Sequence, residues 1–177
     1  DSVFSSTRKM GGPEITTWGQ LGLTGDWANR PISLYGRNSA SGTYGFFKDH
    51  ALSKGDFRAT VKEQPGSSSV VLGVAGDLYA MGYSGIGYTS AGVRSVPLGI
   101  NEGEYFESSP ENAISGDFPL ARFLLVYINK KPGQPVEPLT REFVKFILSK
   151  EGQEVVVKDG YFPMPAEVIE EELQKLQ

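Results

Sequence analysis

A loop rich in serine and glycine carries the residues best suited to chemistry in this sequence. Arg37 offers a fork of N–H donors, and hydroxyl groups follow on Ser39, Ser41 and Thr43. Gly42 lets a ligand approach the backbone at the point where a helix is predicted to begin. Because the first N–H groups of a helix lack partners and carry about half a positive charge, they attract anions. The loop therefore predicts a site for a tetrahedral, phosphate-like anion held by hydrogen bonds.

The same loop has a simpler interpretation that the residues alone leave open. Serine and glycine commonly cap helices, and Arg37 could pair with a surface carboxylate. Nucleotide hydrolysis, in contrast, is not indicated. Gly36 and Gly42 are spaced wrongly for a Walker A loop, and no Gly-Lys-Ser or Gly-Lys-Thr follows them.

The candidate catalytic groups elsewhere in the chain lack the partners that catalysis would need. Ser6 and Lys9 have the S-x-x-K spacing of serine acyl enzymes, but no K-T-G segment accompanies them. His50 follows Asp49 directly, so their side chains point to different faces of the predicted helix. His50 is therefore predicted to be a surface residue, and the protein is predicted not to be an enzyme.

Composition narrows the possible functions further. The 177 residues include no cysteine and one histidine, which excludes disulfides, thiolate metal sites and sites built from several histidines. The acidic residues from Glu102 to Glu111 lack the alternating spacing of an EF-hand, so they are interpreted as solvated surface. We expect no metal and no cofactor. The pI of about 5.1 argues against a nucleic-acid partner, which would require a basic stripe.

Alternating strands and helices predict an α/β architecture that places the loop between a strand and a helix. Pro31–Tyr35 alternates apolar and polar residues like a strand, and Thr43–Leu52 has helical spacing. Ser67 or Ser68 is predicted to cap a second helix that extends to Tyr79. Further strands are predicted at Tyr83–Tyr88, Val93–Leu98 and Arg122–Asn129.

The last third of the chain is predicted to be mainly helical. A loop is predicted over residues 99–118 and a turn over Lys130–Pro135. Three helices are then predicted. The first begins at Pro138 and has Phe143, Phe146 and Ile147 on its inward face, and the second covers Ser149–Lys158 and ends at a left-handed Gly160. The third covers Glu167–Gln177, and its inward side chains are Val168, Ile169, Leu173 and Leu176.

Four segments distributed along the chain carry a family resemblance. They are Ile15–Leu21, Tyr35–Phe47, Phe123–Lys130 and Phe146–Gln153. The Arg-x-x-x-Ser-Gly-Thr core within the second segment is the most specific of these motifs. With these segments the chain resembles, over nearly its whole length, the phosphate-binding proteins of bacterial ABC-type phosphate import.

That resemblance implies a periplasmic-binding-protein-like fold of type II, in which two lobes close on one phosphate. It implies that Arg37, Ser41, Gly42 and Thr43 contact phosphate from one lobe. Some family members have an acidic residue two places after the arginine, which orients it. Ser39 occupies that place here and is included among the expected phosphate-binding residues.

The resemblance also implies a division of the chain into two parts. Residues 1–121 are expected to form an α/β second lobe, with a mixed sheet flanked by helices, that carries the phosphate loop. Residues 122–177 are expected to supply the hinge-return strand and the C-terminal helices of the first lobe. Because family members are substantially longer, we expect the N-terminal first-lobe segment, with its further ligand donors and an aspartate, to be missing.

Two functions follow as hypotheses. In the first, the chain binds inorganic phosphate as part of the solute-binding component of an ABC importer, with weakened affinity because half of the clamp is missing. The partner of the complete protein would be a membrane permease, and its location periplasmic or extracytoplasmic. In the second, the chain is an interaction module or truncated lobe that self-associates through an exposed lobe interface and has lost high-affinity phosphate binding.

Overall fold

The strand that precedes the loop lies at the centre of a small parallel sheet. A computed structural model describes residues 1–176 of the chain. The strands are β1 (Ser33–Arg37), β2 (Lys62–Gln64) and β3 (Ala80–Gly82). Their order is β2-β1-β3, and both pairings are parallel, so the mixed sheet expected from the sequence is wrong for the described strands. Tyr35 in the central strand is aligned with Lys62 on one side and with Gly82 on the other.

Two helices connect these strands, as parallel pairing requires. They are α1 (Gly42–Ala51), between β1 and β2, and α2 (Ser67–Ala75), between β2 and β3. Because each helix follows a strand of a parallel sheet, both begin at the edge formed by the carboxyl ends of the strands. The chain steps from β1 to one side and then crosses to the other, so the strand order reverses beside β1, where ligands bind in open α/β sheets.

The core of this α/β region is built mainly from aromatic and leucine side chains. Phe4, Leu34, Leu52 and Tyr83 form its buried cluster, and Leu52 is completely buried. The rings of Phe47 and Tyr83 stack with their centroids 4.2 Å apart. Since Leu34 belongs to β1 and Phe47 to α1, this cluster fixes the strand and the helix that border the loop.

Both tryptophans of the chain lie in a second aromatic group, next to the start of β3. Trp18 and Trp27 contact edge to face at 5.4 Å, and Trp27 packs on Tyr79 at 4.9 Å. The indole Nε1 of Trp18 donates to the carbonyl of Tyr79 at 3.0 Å. These contacts join the segment before β1 to the residue before β3, so tryptophan fluorescence reports on the folding of this part of the chain.

A buried glycine in β1 provides a stability prediction. A Cβ added to Gly36 would lie 2.4 Å from Cε1 of the Tyr83 ring, which is held in the core. We expect Gly36→Ala to lower the free energy of unfolding by about 1–3 kcal/mol, because the ring must shift. Urea unfolding followed by tryptophan fluorescence measures it. Gly45→Ala is the matched control, since nothing lies within 4 Å of its added Cβ and alanine favours the helix. Equal stability of Gly36→Ala and the unchanged chain would contradict the expectation.

The chain divides into two compact units, Asp1–Ser95 and Val96–Gln177. The first contains the sheet, α1 and α2. The helices of the second are α3 (Pro110–Ser115), α4 (Pro138–Leu148), α5 (Lys150–Lys158) and α6 (Ala166–Gln174). The boundary expected after residue 121 separates the parts of the chain assigned to the two lobes of a longer family member. This lobe boundary stays a prediction.

The core of the second unit is formed by Val136, Leu148 and Leu176, with Ile169 and Leu173 packed against it. The three predicted C-terminal helices are confirmed as α4, α5 and α6. The last of them ends at Gln174, whereas its predicted end, Gln177, lies outside the described residues. The predicted left-handed conformation after α5 is confirmed, because Gly160 has φ +85°. The inward face predicted for α4 is wrong at two positions, since Phe143 and Phe146 are more than half exposed.

Several predicted strands of the middle of the chain are not strands in the structure. The strand in this region is β3, which ends at Gly82. Within the predicted strand Tyr83–Tyr88, the chain instead forms a short 3-10 helix at Ile86–Tyr88. Val93–Leu98 makes a single antiparallel bridge, from Leu98 to Phe106. The predicted loop over residues 99–118 contains α3, which Ser109 caps through a hydrogen bond from the N–H of Asn112.

The predicted strand Arg122–Asn129 is also wrong for the described chain. The segment has no regular secondary structure, and its apolar side chains are exposed, Tyr127 to 87%. A strand forms only beside another strand that takes up its backbone hydrogen bonds. The three strands found in residues 1–176 pair with one another and not with this segment.

Candidate functional site

Arg37 ends β1, and its backbone is fixed by the neighbouring strands. The hydroxyl of Tyr83 donates to the carbonyl oxygen of Arg37 at 3.0 Å. Burial raises the pKa of Tyr83, so this hydroxyl keeps its proton and remains a donor. On the other side of β1, the N–H of Asn38 donates to the carbonyl of Gln64 at 3.1 Å. The side chain of Arg37 therefore starts from a well-fixed point at the carboxyl edge of the sheet.

The guanidinium of Arg37 is held by the turn that follows β2. Its Nη1 donates to Oγ of Ser67 at 2.8 Å, and its Nη2 donates to the carbonyl of Pro65 at 3.3 Å. Its Nε is buried and has no hydrogen-bond partner among residues 1–176. No carboxylate of the described residues forms an ion pair with it, so the surface ion pair considered from the sequence is not found.

The loop after β1 leads into α1 through a capped turn. The N–H of Ser41 donates to the carbonyl of Asn38 at 3.0 Å, and Ser41 is the N-cap residue, with extended backbone. Its Oγ accepts a hydrogen bond from the N–H of Thr43 at 3.1 Å. Ser41 thus caps the helix, as the simpler interpretation predicted, while its own hydroxyl proton remains available to a ligand.

Gly42 and Thr43 form the first turn of α1. Gly42 is exposed, and as the first residue of the helix its N–H has no acceptor within the helix. The positive end of the helix dipole adds to the charge of Arg37 at the same edge of the sheet. The predicted residues Arg37, Ser41, Gly42 and Thr43 thus share one strand–loop–helix connection, which can bind an anion by hydrogen bonds and charge.

Ser39 lies in the same loop but differs from the others in its surroundings. It is exposed, and the guanidinium of Arg37 donates its hydrogen bonds to Ser67 and Pro65 instead. A role of Ser39 in orienting Arg37 therefore has no support in the structure. Its direct contact with phosphate stays a prediction.

The start of α2 is a part of the site that the sequence predictions missed. The sequence predicts Ser67 or Ser68 as a helix cap, but the N-cap is Gly66, and Ser67 is the first helical residue. The Ser67 side chain is buried and turned towards Arg37. A usable signal was present, because Gly66-Ser67-Ser68-Ser69 repeats the glycine- and serine-rich start of α1 after a second short strand.

The remaining candidate groups do not form a second site in the described residues. His50 is exposed, as predicted, and one ring nitrogen lies 2.9 Å from the carbonyl of Phe46. The hydroxyl of Ser6 donates to the carbonyl of Asp56 at 3.1 Å. Within residues 1–176 there is no group of three or more acidic or histidine side chains placed to hold a metal ion. Among the helices described, none has the length and hydrophobicity of a membrane span.

Comparison with known proteins relates this arrangement to a family. A sequence model of the PBP superfamily domain matches residues 4–151, which include the strand–loop–helix connection of the candidate site. The chain belongs to the PBP superfamily. The PBP-like α/β fold predicted from the sequence is thereby confirmed.

Two curated relatives show how far the similarity extends. Phosphate-binding protein PstS of Pseudomonas aeruginosa is 56% identical to the chain over 178 residues, which cover 99% of the chain and 55% of that protein. Protein SphX of Synechocystis is 30% identical over 157 residues, which cover 86% of the chain and 46% of that protein. The chain thus spans about half the length of the curated relatives it matches.

Solved structures support the same family resemblance. A phosphate ABC transporter substrate-binding protein of Clostridium perfringens, crystallised with bound phosphate, matches with a TM-score of 0.67 and 27% identity, over 85% of the chain and 58% of that protein. An ABC-type phosphate transport receptor of Vibrio cholerae matches with a TM-score of 0.61 and 20% identity, over 86% and 59%. The second match supports the fold alone.

Proposed function

We propose that the chain binds inorganic phosphate as part of the solute-binding component of an ABC phosphate importer. The phosphate contacts are Arg37, Ser41, Gly42 and Thr43, with Ser39 as a further contact. The observation that carries this proposal is the Arg37 guanidinium, held at the carboxyl edge of a parallel sheet by Pro65 and Ser67, on the strand whose following loop leads into α1. It has an unpaired, buried Nε and no carboxylate partner in the described chain.

The chemistry of this arrangement suits a tetrahedral oxyanion. An arginine fork, hydroxyl protons and a helix N–H are all donors, and each hydrogen bond to a charged oxygen is stronger than one between neutral groups. The names of the relatives point in the same direction: the Pseudomonas aeruginosa protein is a phosphate-binding protein, and the Clostridium perfringens structure contains phosphate.

Calorimetric titration of the chain with inorganic phosphate tests the proposal. We expect saturable binding with a dissociation constant between about 1 μM and 1 mM, because an anion held from one side remains partly in water, where each hydrogen bond adds little net free energy. No saturable heat up to several millimolar phosphate would contradict phosphate binding. Nanomolar affinity would instead contradict the idea that this chain supplies only half of a clamp.

The wider setting follows from the same proposal. A solute-binding component delivers its ligand to a membrane permease, so we propose an ABC permease as the partner of the complete protein and a periplasmic or extracytoplasmic location. The relatives are named as binding and transport proteins, which supports a role without catalysis.

A second candidate function is favoured by one exposed segment. The apolar side chains from Phe123 to Ile128 are between 37% and 87% exposed. Consecutive exposed apolar residues often mark an interaction surface, so this segment supports the alternative of a self-associating module. A sedimentation concentration series distinguishes the two. A monomer at all concentrations would contradict the alternative, and a dimer without phosphate binding would favour it.

Weak discrimination between phosphate and sulfate is an expected property of this site. At pH 8 both anions carry about two negative charges, but phosphate retains a proton that a carboxylate would accept. No carboxylate of the described residues hydrogen-bonds to Arg37, Ser41 or Thr43. We therefore expect sulfate to displace phosphate with an affinity within about tenfold of that of phosphate, which corresponds to about 1.4 kcal/mol.

Competition calorimetry measures this selectivity, with chloride at the same ionic strength as the control. Sulfate binding more than about a hundredfold weaker than phosphate binding would contradict the expectation. That result would require an acceptor for the phosphate proton within the chain.

A further inference from the structure

We propose that Ser67 is a positioning residue that orients the guanidinium of Arg37 for the anion. This inference rests on the proposed phosphate binding. It assigns a role to the start of α2, a helix that follows a different strand from the one that carries Arg37.

The contact between the two side chains is short and protected from water. Nη1 of Arg37 lies 2.8 Å from Oγ of Ser67, and Ser67 is only 7% exposed. A hydrogen bond to a charged group in such surroundings is stronger than one at the surface, since little water competes for it. This bond therefore restricts a side chain that would otherwise rotate about several bonds.

Ser67 is itself fixed by its neighbours, as a positioning residue must be. The hydroxyl of Ser84 donates to its carbonyl oxygen at 3.0 Å. Three residues further along α2, Val70 is 99% buried, which anchors the first turn of the helix in the core. From the same turn, the Pro65 carbonyl accepts from Nη2 of Arg37. The turn between β2 and α2 thus holds both terminal nitrogens of the guanidinium.

The chemistry of this support leaves Arg37 able to bind an anion. Two of the five N–H groups of the guanidinium are used, which leaves one on each terminal nitrogen for a ligand, while the Nε–H is unpaired and buried. A hydroxyl and a carbonyl orient the guanidinium without neutralising it, whereas a carboxylate would form an ion pair that competes with the ligand. Ser67 therefore orients the guanidinium of Arg37 and leaves its positive charge unneutralised.

A double-mutant cycle in phosphate affinity tests this role. We expect Ser67→Ala to weaken phosphate binding about tenfold, and Ser67→Thr, which keeps the hydroxyl, to restore most of the affinity. In the Arg37→Ala background, Ser67→Ala should cause no further loss, because it acts through Arg37. Ser68→Ala is the matched control: Ser68 is the exposed next residue of the same helix, and its replacement should leave affinity unchanged.

The outcomes separate this inference from the proposed function. Absence of phosphate binding by the unchanged chain would contradict both. Binding that is lost in Arg37→Ala but unaffected by Ser67→Ala would overturn the role of Ser67 and leave the proposed function standing. An equal loss from Ser67→Ala with and without Arg37 would also overturn it, because Ser67 would then act independently of the guanidinium.

A measurement on the unchanged chain keeps the inference testable even if a variant fails to fold. In a nitrogen-15 NMR spectrum, a fixed guanidinium gives an Arg37 Nε–Hε signal shifted from those of freely rotating arginines, for which exposed Arg94 is the reference. We expect that shifted signal before phosphate is added and a further change on addition. An Arg37 signal that coincides with that of Arg94 would contradict the positioning role.

Discussion

Replacing Arg37 with alanine is expected to weaken phosphate binding by roughly 10- to 150-fold. The substitution removes charge-assisted hydrogen bonds worth about 1.5–3 kcal/mol to an anion, together with the positive charge at the carboxyl edge of the sheet. We expect β1 to keep its place in the sheet, because the backbone contacts of Arg37 with Tyr83 and with β2 do not involve its side chain. Calorimetric titration with phosphate measures the loss.

Two further variants distinguish the site from general electrostatics. Arg37→Lys keeps the charge but not the planar fork, so its affinity should lie between those of the unchanged chain and Arg37→Ala. Arg94→Ala removes the same charge from an exposed position and should leave phosphate affinity within about twofold. An equal loss from Arg94→Ala would mean that net charge, and not the loop, determines binding.

Leu52→Ala is expected to lower the free energy of unfolding of the first unit by about 2–5 kcal/mol. Leu52 is completely buried at the end of α1, in the cluster with Phe4, Leu34 and Tyr83. Its truncation leaves a cavity among rings that cannot readily collapse to fill it. Since both tryptophans lie in this unit, urea unfolding followed by tryptophan fluorescence reports on the unfolding of this unit.

The matched control is Leu72→Ala in α2, where the side chain is 69% exposed. Its expected effect is below about 0.5 kcal/mol, because little apolar area leaves water at this position. Similar losses for Leu52 and Leu72 would contradict the assignment of the core. A small loss for Leu52→Ala alone would show that the cluster is loosely packed.

The strand–loop–helix connection around Gly42 could be predicted from the sequence because its signals are local. Ser41 and Gly42 mark a helix start by their own chemistry, and Arg37 lies before them at the end of an apolar strand. The helix that begins at Pro138 is predicted for the same reason, since proline fits the first position of a helix, and the helix predicted from Ser149 begins at Lys150 with Ser149 as its side-chain cap. Local hydrogen bonds fix such elements whatever surrounds them.

The partner of Arg37 could not be predicted in the same way, because it depends on which strands are adjacent. β2 is only Lys62–Gln64, and its polar side chains give no hydrophobic alternation. Without β2 in the prediction, the glycine- and serine-rich start of α2 could not be placed beside Arg37, which is thirty positions away. The contact is produced by parallel pairing, which sets the ends of two strands side by side.

The apolar segment from Phe123 to Ile128 is predicted to be a strand, but it forms none in the structure. Its composition is that of a buried strand, but strand formation requires a neighbour that accepts its hydrogen bonds. The sheet described in residues 1–176 does not include it. Composition therefore indicates a preference for strand structure, but this segment pairs with no strand of the described residues.

The central claim, that phosphate binds at the loop between β1 and α1, is tested most directly by NMR. A nitrogen-15-labelled sample of the chain is titrated with inorganic phosphate at constant ionic strength, with chloride as the control. We predict saturable shifts of the Gly42 and Thr43 backbone amides and of the Arg37 Nε–Hε group, with one common dissociation constant. Saturable shifts confined to other parts of the chain, or none at this loop, would contradict the account.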